Sequence, residues 1–215
     1  GRPVGAPPAL TAGQQAAATH LASRIDDGRF HAAVLFGVTG SGKTEVYLRA
    51  AAHALTRGRS ALVLVPEIGL TPQVAEAVAA RFGDVVVVLH SGVTDRQRYE
   101  AWQRARSGAA RVVVGARSAL FAPLADVGLI VVDEEHDGAY KQEEAPRYHA
   151  RDLALVRGRE AGAVLVLGSA TPSMEAWALA AEGRAALLEL PRRVGGATLA
   201  RSLLVDMPAE LPETT

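Results

Sequence analysis

Residues 37–44 read Gly37-Val38-Thr39-Gly40-Ser41-Gly42-Lys43-Thr44, a complete G-x-x-x-x-G-K-[ST] phosphate loop. An apolar run of strand length, His31–Phe36, precedes it, and a helical pattern over Glu45–Thr56 follows it. Strand, glycine-rich loop and helix start form the context in which backbone amides turn inward on a polyphosphate and the helix end supplies positive potential. Nucleoside triphosphate binding is the reading that this context predicts. Gly37, Gly40 and Gly42 let the backbone close around phosphate, with Val38, Thr39 and Ser41 completing the loop. Lys43 is expected to reach the β- and γ-phosphates and the Thr44 hydroxyl to coordinate Mg²⁺.

The rest of the chain repeats the same alternation. Strand candidates are His31–Phe36, Ser60–Val65, Asp84–Leu89, Arg111–Val114, Leu129–Val132, Ala163–Leu167 and Ala186–Leu190. Helical stretches are Gln14–Asp26, Thr44–Thr56, Thr71–Phe82, Thr94–Ser107, Ala150–Ala161 and Ser173–Glu182. The strands are nearly continuous Val, Leu and Ile runs, which implies burial on both faces. That pattern predicts an α/β domain, a mostly parallel sheet with helices on both faces, with ligands gathered at the carboxyl ends of the strands. Residues 1–10 are rich in Pro and Gly and read as a linker, 11–193 as the folded lobe, and 194–215 as a polar tail.

Two further motifs follow apolar strands. Leu129-Ile130-Val131-Val132 runs into Asp133-Glu134-Glu135-His136. Asp133 is suited to hold Mg²⁺, Glu134 to orient and deprotonate an attacking water, and His136 to bridge the carboxylates to whatever senses a second substrate. Gly168-Ser169-Ala170-Thr171-Pro172 places two hydroxyls after the next strand. Alone it reads as a helix N-terminus with Thr171 as cap and Pro172 at the first helical position; beside the other two motifs, Ser169 and Thr171 also suit a coupling role toward Asp133–His136.

Composition narrows the class. With 23 basic and 23 acidic residues among 215, the chain carries no net charge. Bulk polyelectrolyte binding is thereby disfavoured, while a local basic groove remains compatible. There is no cysteine, hence no disulfide, no Cys-based zinc site and no thiol nucleophile. No apolar run approaches the ~18 residues of a membrane span, and no signal-peptide pattern precedes the first strand, so the expected location is cytoplasmic, with no membrane partner.

A phosphate loop followed by D-E-x-H and S-A-T resembles the superfamily 2 helicases and translocases. The stretches Gly37–Leu48, Leu64–Gln73, Leu89–Gly92, Gly115–Pro123, Asp133–Gln142, Arg147–Ala154 and Leu167–Pro172 resemble, more narrowly, the PriA family of primosomal replication-restart helicases. The resemblance runs from about Leu10 to about Arg193. It implies the first of two RecA-like motor lobes in a 3′-to-5′ DNA helicase that restarts stalled forks. It also implies ATP and Mg²⁺ as ligands, single-stranded and forked DNA, primosome proteins and single-strand binding protein as partners, and a nucleoid-associated location. Zinc is implied only for regions of the family protein that this chain lacks. Leu10-Thr11-Ala12-Gly13-Gln14 corresponds to a leader whose Gln reads adenine; Gly13 stands where an acidic residue is usual and Gln15 follows, so the register leaves Gln14 and Gln15 both open. Thr71, Gln73, His90, Ser91, Arg117 and Ser118 correspond to residues facing the DNA track. Tyr140, Lys141, Arg147 and Tyr148 correspond to a loop coupling DNA contact to hydrolysis, with Pro146 replacing an expected aromatic.

By the same resemblance the chain lacks a second lobe and its arginine fingers. It is therefore expected to bind ATP through Lys43, Thr44, Asp133 and Glu134, to hydrolyse it about 10³-fold or more below the complete motor, and not to unwind DNA. The competing readings are a primosome scaffold that retains the fold without motor function, another superfamily 2 DNA translocase, and a metabolic phosphate-loop kinase, for which no basic lid segment is present.

Overall fold

The computed structural model describes residues 8–66, 78–89 and 92–196. Helix α1 (Ala12–Asp26) opens the fold. Strand β1 (His31–Gly37) leads through the phosphate loop into α2 (Lys43–Thr56), and β2 (Ser60–Leu64) follows. Residues 78–82 are helical. Then come β3 (Val86–Leu89), α3 (Asp95–Arg106), β4 (Val112–Gly115) and β5 (Val127–Asp133). The short β6 (Lys141–Gln142) and β7 (Tyr148–His149) precede α4 (Ala150–Ala161). Strand β8 (Val164–Ser169), α5 (Met174–Ala181) and β9 (Ala186–Leu190) complete the described part.

Seven strands form one sheet in the order β3-β4-β2-β5-β8-β1-β9, and every pairing in it is parallel. Alternate side chains along each strand serve opposite faces. Val34, Leu62, Ile130 and Leu165 pack on one face with Ala101 and Ala105 of α3, Ala150 and Ala154 of α4, and Ala176 of α5. Leu35, Val63, Val131 and Val166 pack on the other with Ala17, Leu21 and Ile25 of α1 and Val46, Tyr47 and Ala50 of α2. Helices thus cover both faces, which is why the central strands carry no polar alternation.

Local chemistry sets the helix ends. Thr11 and Gln14 form a capping box at α1, and Thr94 and Gln97 form one at α3. Helix α4 stops at Gly162, whose left-handed φ of 58° a side chain would resist. The strand expected from Asp84 begins two residues later, because Gly83–Val85 form a 3₁₀ turn. The helix after Ser169 is capped by Ser173, whose side chain accepts from the Ala176 amide; the cap reading centred on Thr171 is two residues early. The antiparallel pair β6–β7 is too short for any periodicity to announce it.

Candidate nucleotide and nucleic-acid site

The register of the sheet brings the three motifs to one edge. Strand β8 lies between β1 and β5, so Ser169 pairs with Phe36 just before the phosphate loop, and Gly168 pairs with Asp133. Helix α2 begins at Lys43 behind Gly42, which sits at φ 78° and offers no side-chain cap. Its first amides are therefore left for a ligand rather than for a side chain. Among the described residues, the buried side-chain polar atom without a hydrogen-bond partner is Ser41 Oγ, inside this loop.

Lys43 is buried, with Nζ 3.1 Å from the Gly37 carbonyl and 3.2 Å from Glu134 Oε1. Thr44 is exposed and shares the lining of one cavity with Asp133 and Glu134. A hydroxyl, two carboxylates, a lysine and an orphaned serine hydroxyl are a donor set that fits a Mg²⁺-polyphosphate.

The last residue of β5 and the three that follow it are sent to four different places. Glu134 has φ 44°, a strained value for a residue with a side chain. That kink points Glu134 at Lys43 and leaves Asp133 facing α2, where Tyr47 donates its hydroxyl to Asp133 Oδ1 at 2.9 Å. Burial, with the neighbouring Glu134 charge, raises the Asp133 pKa, while the Tyr47 hydrogen bond and Lys43 pull it down. Glu135 turns into the core, fully buried. It accepts from the Ser173 amide at 2.7 Å and the Ser173 hydroxyl at 2.8 Å, and lies 3.5 Å from Arg151 Nη1. Of the three carboxylates in sequence, this one is a strut rather than a site group.

His136 is exposed and lies 2.7 Å from Ser169 Oγ through Nδ1, 3.4 Å from Thr171 Oγ1 through Nε2, and 3.7 Å from Glu134 Oε2. Ser169 Oγ also accepts from the Thr171 amide at 2.9 Å. Glu134, His136, Ser169 and Thr171, expected from the sequence to communicate, are in one chain of contacts.

Gln14 is buried and occupied at both ends of its amide. Its oxygen accepts from the Thr11 amide at 2.8 Å, and its nitrogen donates to the Ser41 carbonyl at 2.9 Å. Gln15 is exposed and donates to Thr19. Gln14 is thus the glutamine that touches the phosphate loop.

A second group of expected residues gathers beyond β2 and β4. Arg117, Ser118, Tyr140 and Tyr148 line a cavity of about 500 Å³ with Val65, Pro66 and Arg98. The Arg117 guanidinium donates to the Ala139 carbonyl at 3.2 Å and to the Lys141 carbonyl, and sits 5.9 Å over the Tyr148 ring. Phe121 meets Tyr148 edge-on at 5.5 Å. Lys141 and Arg147 are exposed on the β6–β7 hairpin. Tyr140, on the same loop, is fully buried and donates to the Asp133 carbonyl at 2.7 Å. Thr71, Gln73, His90 and Ser91 lie outside the described residues.

Sequence reasoning missed Tyr47, Arg98, Arg151 and Ser173. Tyr47 had a legible signal, since it stands three residues after Thr44 and so on the same helix face. Arg151 had none, because Glu135, Ser173 and Glu175, which it meets besides its neighbour Asp152, are distant in sequence.

The DEAD/DEAH box helicase family matches residues 11–178. The replication restart protein PriA of Chlamydia pneumoniae is 48% identical over 206 residues, covering 95% of this chain and 28% of the relative. PriA of Bacillus subtilis is 46% identical over 202 residues, covering 94% and 25%. PriA of Treponema pallidum is 51% identical over 174 residues, covering 81% and 26%. The chain spans about a quarter of the length of these curated relatives. Among solved structures, RecG bound to a three-way DNA junction superimposes with a TM-score of 0.61 at 20% identity, covering 90% of this chain and 25% of that one. The Pyrococcus furiosus Hef helicase domain gives 0.60 at 22%, covering 85% and 38%. At these identities the structural likeness speaks to the fold.

Proposed function

The chain belongs to the DEAD/DEAH box helicase family, and on that premise we propose that it is the ATP-binding lobe of a 3′-to-5′ DNA helicase of replication restart, coupling Mg·ATP hydrolysis to movement on single-stranded DNA. The observation that carries the reading is the meeting of Lys43 with Glu134 at 3.2 Å, beside Thr44 and Asp133, in a chain 48% identical to a replication restart protein.

In this reading Lys43 leaves Glu134 for the β- and γ-phosphates, and the loop amides and Ser41 hold the remaining oxygens. Thr44 and Asp133 would hold Mg²⁺, which would supply charge neutralisation at the phosphoryl oxygens. Glu134, released from Lys43, orients the attacking water and accepts its proton. His136 reports the state of Glu134 to Ser169 and Thr171 through the contacts above. Arg117, Ser118, Lys141, Arg147 and Tyr148 offer guanidinium, hydroxyl, ammonium and aromatic groups to a phosphate backbone and its bases without reading sequence. Tyr140 ties their hairpin to Asp133 through its main-chain carbonyl. Forked DNA, primosome proteins and single-strand binding protein are the partners this reading carries, in the nucleoid of the cytoplasm.

The test is ATP turnover with and without single-stranded DNA in the full-length protein and its Lys43→Ala variant. DNA-stimulated turnover that the variant loses is the expected result. Turnover indifferent to DNA, or none, would remove the helicase reading.

A further inference from the structure

Tyr47 is buried against Asp133, and no part of the mechanism above uses it. Its ring leaves α2 one turn after Lys43 and crosses to the strand ends of β5 and β8. The path exists because residue 168 is glycine. A Cβ on Gly168 would stand 1.6 Å from the Tyr47 hydroxyl and 2.8 Å from its Cζ. Gly168 is also the register partner of Asp133. One strand therefore gives up its side chain so that a phenol on the phosphate-loop helix can reach the carboxylate on its neighbour.

A purely apolar residue would fill the same space. The hydroxyl adds a 2.9 Å hydrogen bond to Asp133 Oδ1, and a donor to a carboxylate both strengthens the contact and fixes the carboxylate plane. Thr44, Tyr47 and Asp133 line one cavity, so the same helix would supply a hydroxyl to a bound metal and set the orientation of the carboxylate beside it.

We propose that Tyr47 is a positioning residue for Asp133, holding it in the orientation that binds Mg²⁺, with Gly168 as the slot that admits its hydroxyl. The inference rests on the nucleotide-binding reading above.

The test is Tyr47→Phe, which removes one oxygen and keeps the ring in the core. Binding of a fluorescent ADP analogue is measured against Mg²⁺ concentration and again in excess EDTA. The expected result is about a tenfold rise in the Mg²⁺ concentration giving half-maximal tightening, the size of one lost hydrogen bond to a charged group, with unchanged affinity in EDTA. Gly168→Ala, with Tyr47 intact, should move the Mg²⁺ midpoint in the same direction. A Tyr47→Phe midpoint equal to that of the unmodified protein overturns the proposal. An equal loss of affinity in EDTA also overturns it, since that is the mark of a packing role. If the unmodified protein shows no Mg²⁺-dependent binding, the nucleotide reading itself falls and takes this proposal with it, an outcome visible before any variant is made.

Discussion

Lys43 Nζ is 3.2 Å from Glu134 Oε1, so the lysine that the proposed function assigns to phosphate is held by the carboxylate that it assigns to hydrolysis. On that proposal nucleotide binding separates the pair and frees both groups at once. Glu134→Gln removes the charge that competes with phosphate for Lys43. ATP affinity should rise several-fold in equilibrium binding, while steady-state turnover falls by about 10²- to 10⁴-fold, the usual contribution of a positioned base. Reduced affinity would mean that the pair does not oppose nucleotide entry.

Gln14 ties helix α1 to the loop through the Thr11 amide and the Ser41 carbonyl. Gln14→Ala removes half of a capping box and a buried hydrogen bond together, so the fold should lose about 1–3 kcal/mol in urea unfolding. Nucleotide affinity should fall with it, because the loop carbonyl loses its anchor. Gln15→Ala, on an exposed position, should change stability by less than about 0.5 kcal/mol. Comparing ATP with GTP in both variants identifies which glutamine discriminates the base; a preference that only Gln15→Ala abolishes would assign adenine reading to Gln15.

Much of this site was legible because parallel sheets concentrate function where strands end. The phosphate loop, Asp133–His136 and Ser169–Thr171 each follow an apolar run, and register alone brings Gly168 beside Asp133 and Ser169 beside Phe36. The core was legible for the same reason: Val34 and Leu35, or Ile130 and Val131, are both apolar because both sheet faces are covered. What was not legible depends on direction rather than on identity. Glu135 and Glu134 are the same residue type in succession, yet the φ of 44° at Glu134 puts one in the core and the other at Lys43. Tyr140 reads as a loop aromatic, and only the turn following Asp137 shows that it folds back to the Asp133 carbonyl. Arg151 and Glu135 meet because two helices and a strand converge, a long-range fact that no local window contains.

The Glu135–Arg151 pair yields a stability prediction with an uncomplicated sign. Glu135 is fully buried and Arg151 nearly so. Ser173 bridges the two, donating to Glu135 and accepting from Arg151 Nη1 at 2.9 Å. Arg151 also meets Asp152 and Glu175, but among the described residues Glu135 has an ion pair with Arg151 alone, so removing Arg151 leaves an uncompensated buried carboxylate, which costs about 3–5 kcal/mol. Arg151→Met should therefore destabilise the lobe severely in denaturant unfolding, although it keeps the volume. Glu135→Gln with Arg151→Met should recover much of the loss, because neither charge is then stranded. Additive losses in the double variant would show that the two residues act independently.

Arg117 sits over Tyr148 and holds the carbonyls of residues 139 and 141. It can present its charge to a phosphate only while the β6–β7 hairpin stays in place. Arg117→Ala should weaken single-stranded DNA binding by about 1–2 kcal/mol and lower its salt slope by about one ion. Tyr148→Ala should weaken binding by about 1–3 kcal/mol, the range for a lost stacking partner, and leave the salt slope unchanged. DNA binding titrated at several salt concentrations separates the two; a slope change in the tyrosine variant would contradict the assignment of stacking to Tyr148.

His20 on α1 and His31 at the start of β1 meet through their Nε2 atoms at 3.2 Å, with rings tilted by 49°. Such a contact requires one ring to accept, so two imidazolium ions cannot share it. Burial lowers both pKa values from 6.5, and Arg24 lowers both further, while Asp27 opposes the shift at His31. A histidine whose folded pKa is depressed binds its proton more readily in the unfolded chain. Its stabilising contribution is complete above 6.5 and is lost as pH falls from there through the folded values. Stability measured by urea unfolding should therefore decline between about pH 7 and pH 5. His31→Phe keeps a ring at the strand start and leaves His20 without a histidine partner, so the decline should flatten. The phosphate loop is not part of this contact, and nucleotide affinity at pH 7 should stay unchanged. A variant that loses stability with the same pH slope would place the sensitivity elsewhere in the fold.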